Sequence, residues 1–361
     1  MIDFVPLENY SNYYYYFLLI LVLFIWFFAN SIEITNITYQ KKLQLLGFII
    51  VVIITLYMGL RPISGRYFGD TQQYFLQFER YKNNIFNVKD KKEFAFDNLM
   101  IFSSKYFEVH TFLLLCAILY ILPLYFACKK IFNQFWFYPF MMLVVSFSFW
   151  SAGTNGVRSA IASSFIILSI SRKNIYYQLF FIVIAIGFHQ SIIIPAVAYL
   201  LTLKFNNTKY FFIFWLICIP ISLITTNFFQ TFFASLFNFD KLNEYLLYDD
   251  AAKEFSRNGF RWDFLLYSST GVFSGLFFIY KKKYSDFLYK RIFNIYLFSN
   301  GIWILVIRAQ FSNRFAYLSW FMLGLVISYP FLKKVYFKEQ HRILVNILFI
   351  YFLFTFFMEV H

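Results

Sequence analysis

Residues 13–29 read YYYYFLLILVLFIWFFA, an uncharged run entered through four tyrosines. Coiled as a helix at 1.5 Å per residue, it extends about 25 Å, close to the ~30 Å hydrocarbon layer of a bilayer. Comparable runs recur at 43–60, 112–128, 135–151, 156–171, 175–188, 190–203, 210–225, 264–280, 292–307, 315–332 and 343–358. Of the 361 residues, 60% are hydrophobic and only 14% charged, too few to clothe a soluble domain of this length. Mean hydropathy is +0.60. The expected fold is an all-α polytopic integral membrane protein, one transmembrane domain over 1–361 with about twelve transmembrane helices. Two longer polar connections, at about 61–110 and 226–262, interrupt the otherwise short loops.

The distribution of charge tests that count, because one wrong span inverts everything after it. Alternate short loops carry Lys41 with Lys42, Lys129 with Lys130, Arg172 with Lys173, Lys204 with Lys209, Lys281 to Arg291, and Lys333 to Arg342. These loops hold seventeen of the 32 basic residues, whereas the opposite short loops hold only Arg158, Arg308 and Arg314. Twelve spans therefore place both termini and both long loops outside, and fifteen of the eighteen acids fall on that side. The net charge of +14 follows from inside-positive topology, and no nucleic-acid partner is expected.

Other classes find no support. Phe and Tyr number 55 and 29, an excess that an AT-rich genome explains in large part, with belts such as Tyr13 to Tyr16 suited to the headgroup layer. Cys116, Cys128 and Cys218 lie in or beside apolar runs without ligand spacing, so neither a zinc site nor a disulfide framework is indicated. P-loop, dinucleotide-binding and metalloprotease motifs are missing, and neither metal nor cofactor is expected. Asp3 and Glu8 without a base do not make a signal peptide, so the first run is expected to remain as a span.

Two stretches, Asn133 to Arg172 and Asn174 to Lys204, are short for their crossings. Between Asn174 and Lys204 the chain enters and returns in about thirty residues where two spans need about forty. The turn His189-Gln190-Ser191 should therefore lie at membrane depth, around an outward-facing cavity. In the turn Ser151 to Arg158, Thr154 or Asn155 is expected to cap a helix beginning at Gly156, with Arg158 in its first turn as an anion contact. The first outer connection opens with Arg61-Pro-Ile-Ser-Gly-Arg66-Tyr-Phe-Gly-Asp70-Thr-Gln-Gln-Tyr74. Arginine donates paired, charge-assisted bonds to phosphate, so Arg61 and Arg66 are expected pyrophosphate ligands. Asp70 either activates a hydroxyl or pairs with Arg66. Near the other end, Arg308 and Arg314 flank a turn that runs on to Tyr317.

These segments resemble the EpsG family of Wzy-type polymerases of surface polysaccharide. Arg61 with Gly69-Asp70-Thr71 and Tyr74 is similar to the family's Arg…Gly-x-Asp…Tyr loop, and Asn155-Gly-Val-Arg158-Ser-Ala-Ile-Ala162 to its Asn-x-x-Arg-Gln-x-x-Ala element. Phe188-His189-Gln-Ser191 resembles its Phe-His-x-Ser turn, and Asn313-Arg314-Phe-Ala-Tyr317 its late Arg/Tyr segment. Gly69 stands directly before Asp70 and Ser159 replaces the usual Gln, two departures from the pattern. The resemblance implies a GT-C-like glycosyltransferase in the bacterial plasma membrane, making O-antigen or capsule. Its substrate would be a polyprenyl-pyrophosphate-linked oligosaccharide, with membrane lipid and a chain-length regulator protein as further partners. Asp70, His189 and Arg158 are then expected in catalysis, Arg61, Arg66, Arg158, Arg308 and Arg314 at pyrophosphate, and Tyr74, Asn155 and Tyr317 at the sugar.

Two rivals belong to other classes. A lipid-linked oligosaccharide flippase should show two similar halves, which this chain lacks. A membrane acyltransferase would use a buried His paired with a carboxylate, but His189 has no carboxylate at close sequence spacing. In the 226–262 connection, Phe228, Phe229, Phe232, Phe233, Leu236 and Phe237 share one helical face suited to the headgroup layer, followed by Asp249, Asp250 and Glu254 as possible sugar contacts.

Overall fold

The computed structural model describes residues 2, 4–29, 34, 36–85, 93–225, 228–229, 232, 259–309 and 312–360. Among these the regular structure is entirely helical. In chain order the helices are α1 (Tyr10–Ala29), α2 (Ile37–Gly59), α3 (Gly65–Phe68), α4 (Thr71–Lys82), α5 (Phe94–Tyr106) and α6 (Val109–Phe132). Then come α7 (Phe137–Val144), α8 (Phe149–Thr154), α9 (Val157–Ile170), α10 (Ile175–Phe188), α11 (Ile193–Lys204) and α12 (Thr208–Ile224). Beyond the long connection lie α13 (Trp262–Leu276), α14 (Phe287–Leu305), α15 (Asn313–Trp320), α16 (Leu323–Lys333) and α17 (Gln340–Glu359). Several start on side-chain caps: Asn36, Ser64, Asn174, Asn207 and Asp286 each accept a bond from a backbone N–H of the first turn.

Among the described residues, six helical stretches are long and apolar enough to cross a membrane: Leu7–Ala29, Ile37–Gly59, Val109–Phe135, Trp262–Lys281, Asn313–Lys333 and Gln340–Glu359. Four shorter apolar helices, α9 to α12, are also present, and α9 to α11 fall in the stretches that the sequence marks as cramped. At 14 residues each, α9 and α10 extend about 21 Å, less than the hydrocarbon thickness. The run at 135–151 is not one continuous helix. It breaks into α7 and α8, and in the break the Ser146 hydroxyl donates to the Leu143 carbonyl. The run at 292–307 becomes α14, whose polar Lys290, Arg291, Asn294 and Asn300 keep it out of the six. The polar connection at 61–110 is largely helical, carrying α3, α4 and α5. Of the aromatic face in the second connection, Phe228, Phe229 and Phe232 are helical, and Phe233, Leu236, Phe237, Asp249, Asp250 and Glu254 lie outside the described residues.

The chain divides into two compact units, Met1–His189 with Ser328–His361, and Gln190–Ile327. In the first, α9 packs along α10 and α6, α2 along α6, and α1 along α17. Gly59 lets α2 approach α6 closely, since a Cβ there would stand 2.7 Å from the Leu114 Cα. Tyr14 and Trp150 stack with centroids 4.3 Å apart, Tyr10 and Tyr57 likewise, and Trp150 donates to Ser11. That cluster anchors α8, and with it the turn leading to Arg158.

In the second unit α14 is central, packed by α11, α12, α13 and α15. Polar side chains bind it together: the Trp215 indole donates to Asn300 Oδ1 at 2.8 Å, and Asn300 Nδ2 donates to Ser319 Oγ at 3.0 Å. In a bilayer such bonds and close packing hold helices together, because lipid tails compete equally for apolar surface.

Candidate functional site

The polar connection between α2 and α6 is tied down by a buried arginine. Arg61, 1% exposed, follows the last turn of α2 and donates to the Met58 carbonyl (2.7 Å), Thr71 Oγ1 (3.1 Å) and the Thr154 carbonyl (3.0 Å). It thus joins the end of α2, the start of α4 and the end of α8. Burial draws its guanidinium down to about 10, which leaves it charged at neutral pH. The expectation that Arg61 grips pyrophosphate is corrected: its guanidinium is enclosed, and its two terminal nitrogens are engaged by protein oxygens. Arg66 is the reverse, exposed on α3 with its guanidinium 5.5 Å from the Tyr67 ring centroid.

Next to the Arg61 clamp, two of the sequence motifs interlock. The Asp70 backbone N–H donates to Asn155 Oδ1 at 2.9 Å, Thr71 Oγ1 donates to the Thr154 carbonyl at 2.8 Å, and the Tyr74 hydroxyl donates to the Asn155 carbonyl at 3.3 Å. Gly69 makes this fit. Its φ is +52°, and a Cβ would lie 2.3 Å from Asn155 Oδ1. The glycine directly before Asp70 is therefore a steric requirement of the Asn155 contact. Asn155 is committed to this lock and does not cap the following helix. That helix begins at Val157, with Gly156 at its cap position, and Thr154 bonds back to the Trp150 carbonyl. Ser159, which stands where the family pattern has Gln, donates to the Gly156 carbonyl at 2.8 Å.

Arg158 occupies the first turn of α9 and keeps part of its side chain accessible. Its guanidinium carbon lies 5.9 Å from the Tyr74 ring centroid. It hydrogen-bonds the Tyr74 side chain and stands within electrostatic reach of Glu93 and Asp70. Glu93 in turn meets His189: Nδ1 and Glu93 Oε1 are 2.8 Å apart, with side-chain exposures of 17% and 7%.

This pair is carried by α5 and α10, which the α2–α6 connection brings together. Glu93 precedes α5 and donates its backbone N–H to Asp97 Oδ2 at 2.8 Å, and Asp97 Oδ1 accepts from Gln77 Nε2 of α4 at 3.2 Å. His189 follows the last residue of α10, its backbone N–H still bonded to the Ala185 carbonyl. A Cβ on Gly187 would come 3.1 Å from the Ala95 Cβ, so a small residue permits this close approach.

The first unit thus gathers Asp70, Tyr74, Asn155, Arg158 and His189, with Arg61 behind them. Arg308, Arg314 and Tyr317 belong to the second unit. There Arg308 follows α14 partly buried, Arg314 is exposed in the first turn of α15, and Tyr317 is half-buried with its ring 5.9 Å from Trp320. Among the described residues no cluster of His, Cys, Asp and Glu is arranged to hold a metal. Glu93 and Asp97 are the site residues that the motifs miss. Their i, i+4 spacing is visible in the sequence, but only the fold shows them buried on one face with Met100 and Ser104.

A helical, polytopic membrane protein that gathers cations, acids and a histidine where its connecting segments meet short helices is the class these features define. The chain belongs to the EpsG family, whose sequence model matches residues 44–361, a family of exopolysaccharide-polymerase-like membrane proteins. No curated protein and no solved structure matches it.

Proposed function

We propose that this chain is a glycosyltransferase that polymerises polyprenyl-pyrophosphate-linked oligosaccharides at the outer face of the bacterial plasma membrane. The observation that carries this reading is Arg158, a partly exposed residue in the first turn of α9 within electrostatic reach of an imidazole–carboxylate pair. In the reaction, a hydroxyl oxygen of a fresh repeat unit bonds to C1 of the growing chain. The C1–O bond to pyrophosphate breaks, the lipid pyrophosphate leaves with the electron pair, and the hydroxyl proton passes to a base. The leaving group needs positive charge where its own negative charge develops, which Arg158 supplies. His189 or Asp70 is the candidate base, both in the first unit. Arg66 and Arg314, both exposed, are further pyrophosphate contacts, each on its own unit. Tyr74 and Asn155 shape the floor under Arg158, and Tyr317 is a sugar contact. This reading keeps twelve crossings, both termini outside, and a chain-length regulator as partner.

The Glu93–His189 pair also reopens acyl transfer to a surface glycan, which sequence spacing alone argued against. Arg158 favours glycosyl transfer, because a dianionic leaving group is what a nearby cation assists. A strain lacking the gene, re-expressing wild type or Arg158→Ala, tests the reading by surface-polysaccharide length on a gel. Single repeat units without the gene, a ladder restored by wild type, and a loss of about 10²-fold or more of long chains with Arg158→Ala are expected. Normal chain lengths with altered acylation would establish the acyltransferase instead.

A further inference from the structure

We propose that Glu93 is a positioning residue that holds the proton on His189 Nδ1 and so makes Nε2 the base for the acceptor hydroxyl. The proposal rests on the polymerase reading and selects His189 over Asp70. An ionised carboxylate only accepts hydrogen bonds, so an imidazole nitrogen 2.8 Å from Glu93 Oε1 must be the one carrying hydrogen. Nε2 of the neutral ring is then the lone-pair nitrogen. When Nε2 takes the hydroxyl proton, the imidazolium forms against a carboxylate that stabilises it.

The carboxylate is itself held from behind. Glu93 gives its backbone N–H to Asp97 Oδ2, Asp97 Oδ1 accepts from Gln77, and Gln77 also donates to the Tyr81 hydroxyl at 2.9 Å. Two acids, 6% and 3% exposed, are thereby kept inside a polar chain that runs from α4 through α5 to His189. Among the described residues, Asp97 on α5 and Arg158 on α9 lie about the pair, and Asp70 and Tyr74 on the α4 side share the surroundings of Arg158. Arg158 stands within electrostatic reach of Glu93.

The test uses the full-length protein in lipid vesicles with lipid-linked repeat units, following chain elongation from about pH 5.5 to 8.5. Glu93→Gln is isosteric, but its amide can donate to Nδ1 and force the opposite tautomer. Elongation should fall about 10²-fold or more, and Glu93→Asp should recover part of it. A carboxylate beside imidazolium raises the histidine's pKa, so its removal should move the acid limb of the profile to lower pH. An acid limb that stays in place with Glu93→Gln, or an Asp variant no faster than Gln, would overturn the assignment. Independently of turnover, ¹⁵N-imidazole spectra of the four histidines, assigned with His189→Gln, should show Nδ1–H in wild type and its loss in Glu93→Gln. An unchanged tautomer would also overturn it. Wild type that shows the Nδ1–H signature yet never elongates a chain would sink the polymerase reading and leave the Glu93 role standing.

Discussion

At the residue scale, Arg61 shows how a motif can point to the right place with the wrong task. As a fork between α2, α4 and α8, it uses planar geometry that a lysine ammonium does not share. Arg61→Lys should lower stability by about 1–3 kcal/mol in thermal unfolding in detergent, because one ammonium cannot reach all three oxygens that the fork bridges. Because Arg61 stays charged until the pH nears about 10, it adds no pH dependence to stability in the neutral range. Native stability in Arg61→Lys would show that the three bonds matter little. Asp70, Asn155, Arg158 and His189 were legible in the sequence because polar residues in turns between apolar runs stand out. Glu93 was not, because it sits in a long polar connection where acids are ordinary, and its partner lies 96 positions away.

At the element scale, hydropathy reports the length of a run and says little about where backbone bonds stop. Hence 135–151 reads as one span and folds as α7 and α8. The same blindness covers α3 to α5, whose polar residues read as loop although Glu93, just before α5, and Asp97 within it are buried. Within the second unit, Asn300 is an accessible test of what holds such helices together. Asn300→Leu preserves bulk but removes the bonds to Trp215 and Ser319, and should cost about 0.6–2 kcal/mol by steric trapping or detergent unfolding. No loss would assign the stability of α14 to packing alone.

At the scale of the whole molecule, class and family could be read directly, since apolar runs and alternating basic loops survive any error in a single boundary. The number of crossings was less legible: six helices meet the full length, while the cramped runs fold shorter. Orientation remains a proposal that cysteine labelling decides. The native cysteines Cys116, Cys128 and Cys218 are all buried, so background is low. Gln73→Cys, on an exposed face of α4, should react with an impermeant maleimide in intact cells, and Lys130→Cys only after permeabilisation. The opposite pattern would put Arg158 and His189 on the cytosolic side and end the outer-face reaction.

The lock between Gly69 and Asn155 bears on how such a chain can diverge. Asn133 adopts nearly the same backbone angles as Gly69, φ 51° and ψ −117° against 52° and −115°, so shape alone does not demand glycine. Room does, because the Asn155 amide occupies the space of a side chain at 69. A lineage that enlarges position 69 must therefore shrink position 155 in step, and these two sites, 86 positions apart, are bound to be inherited as a pair.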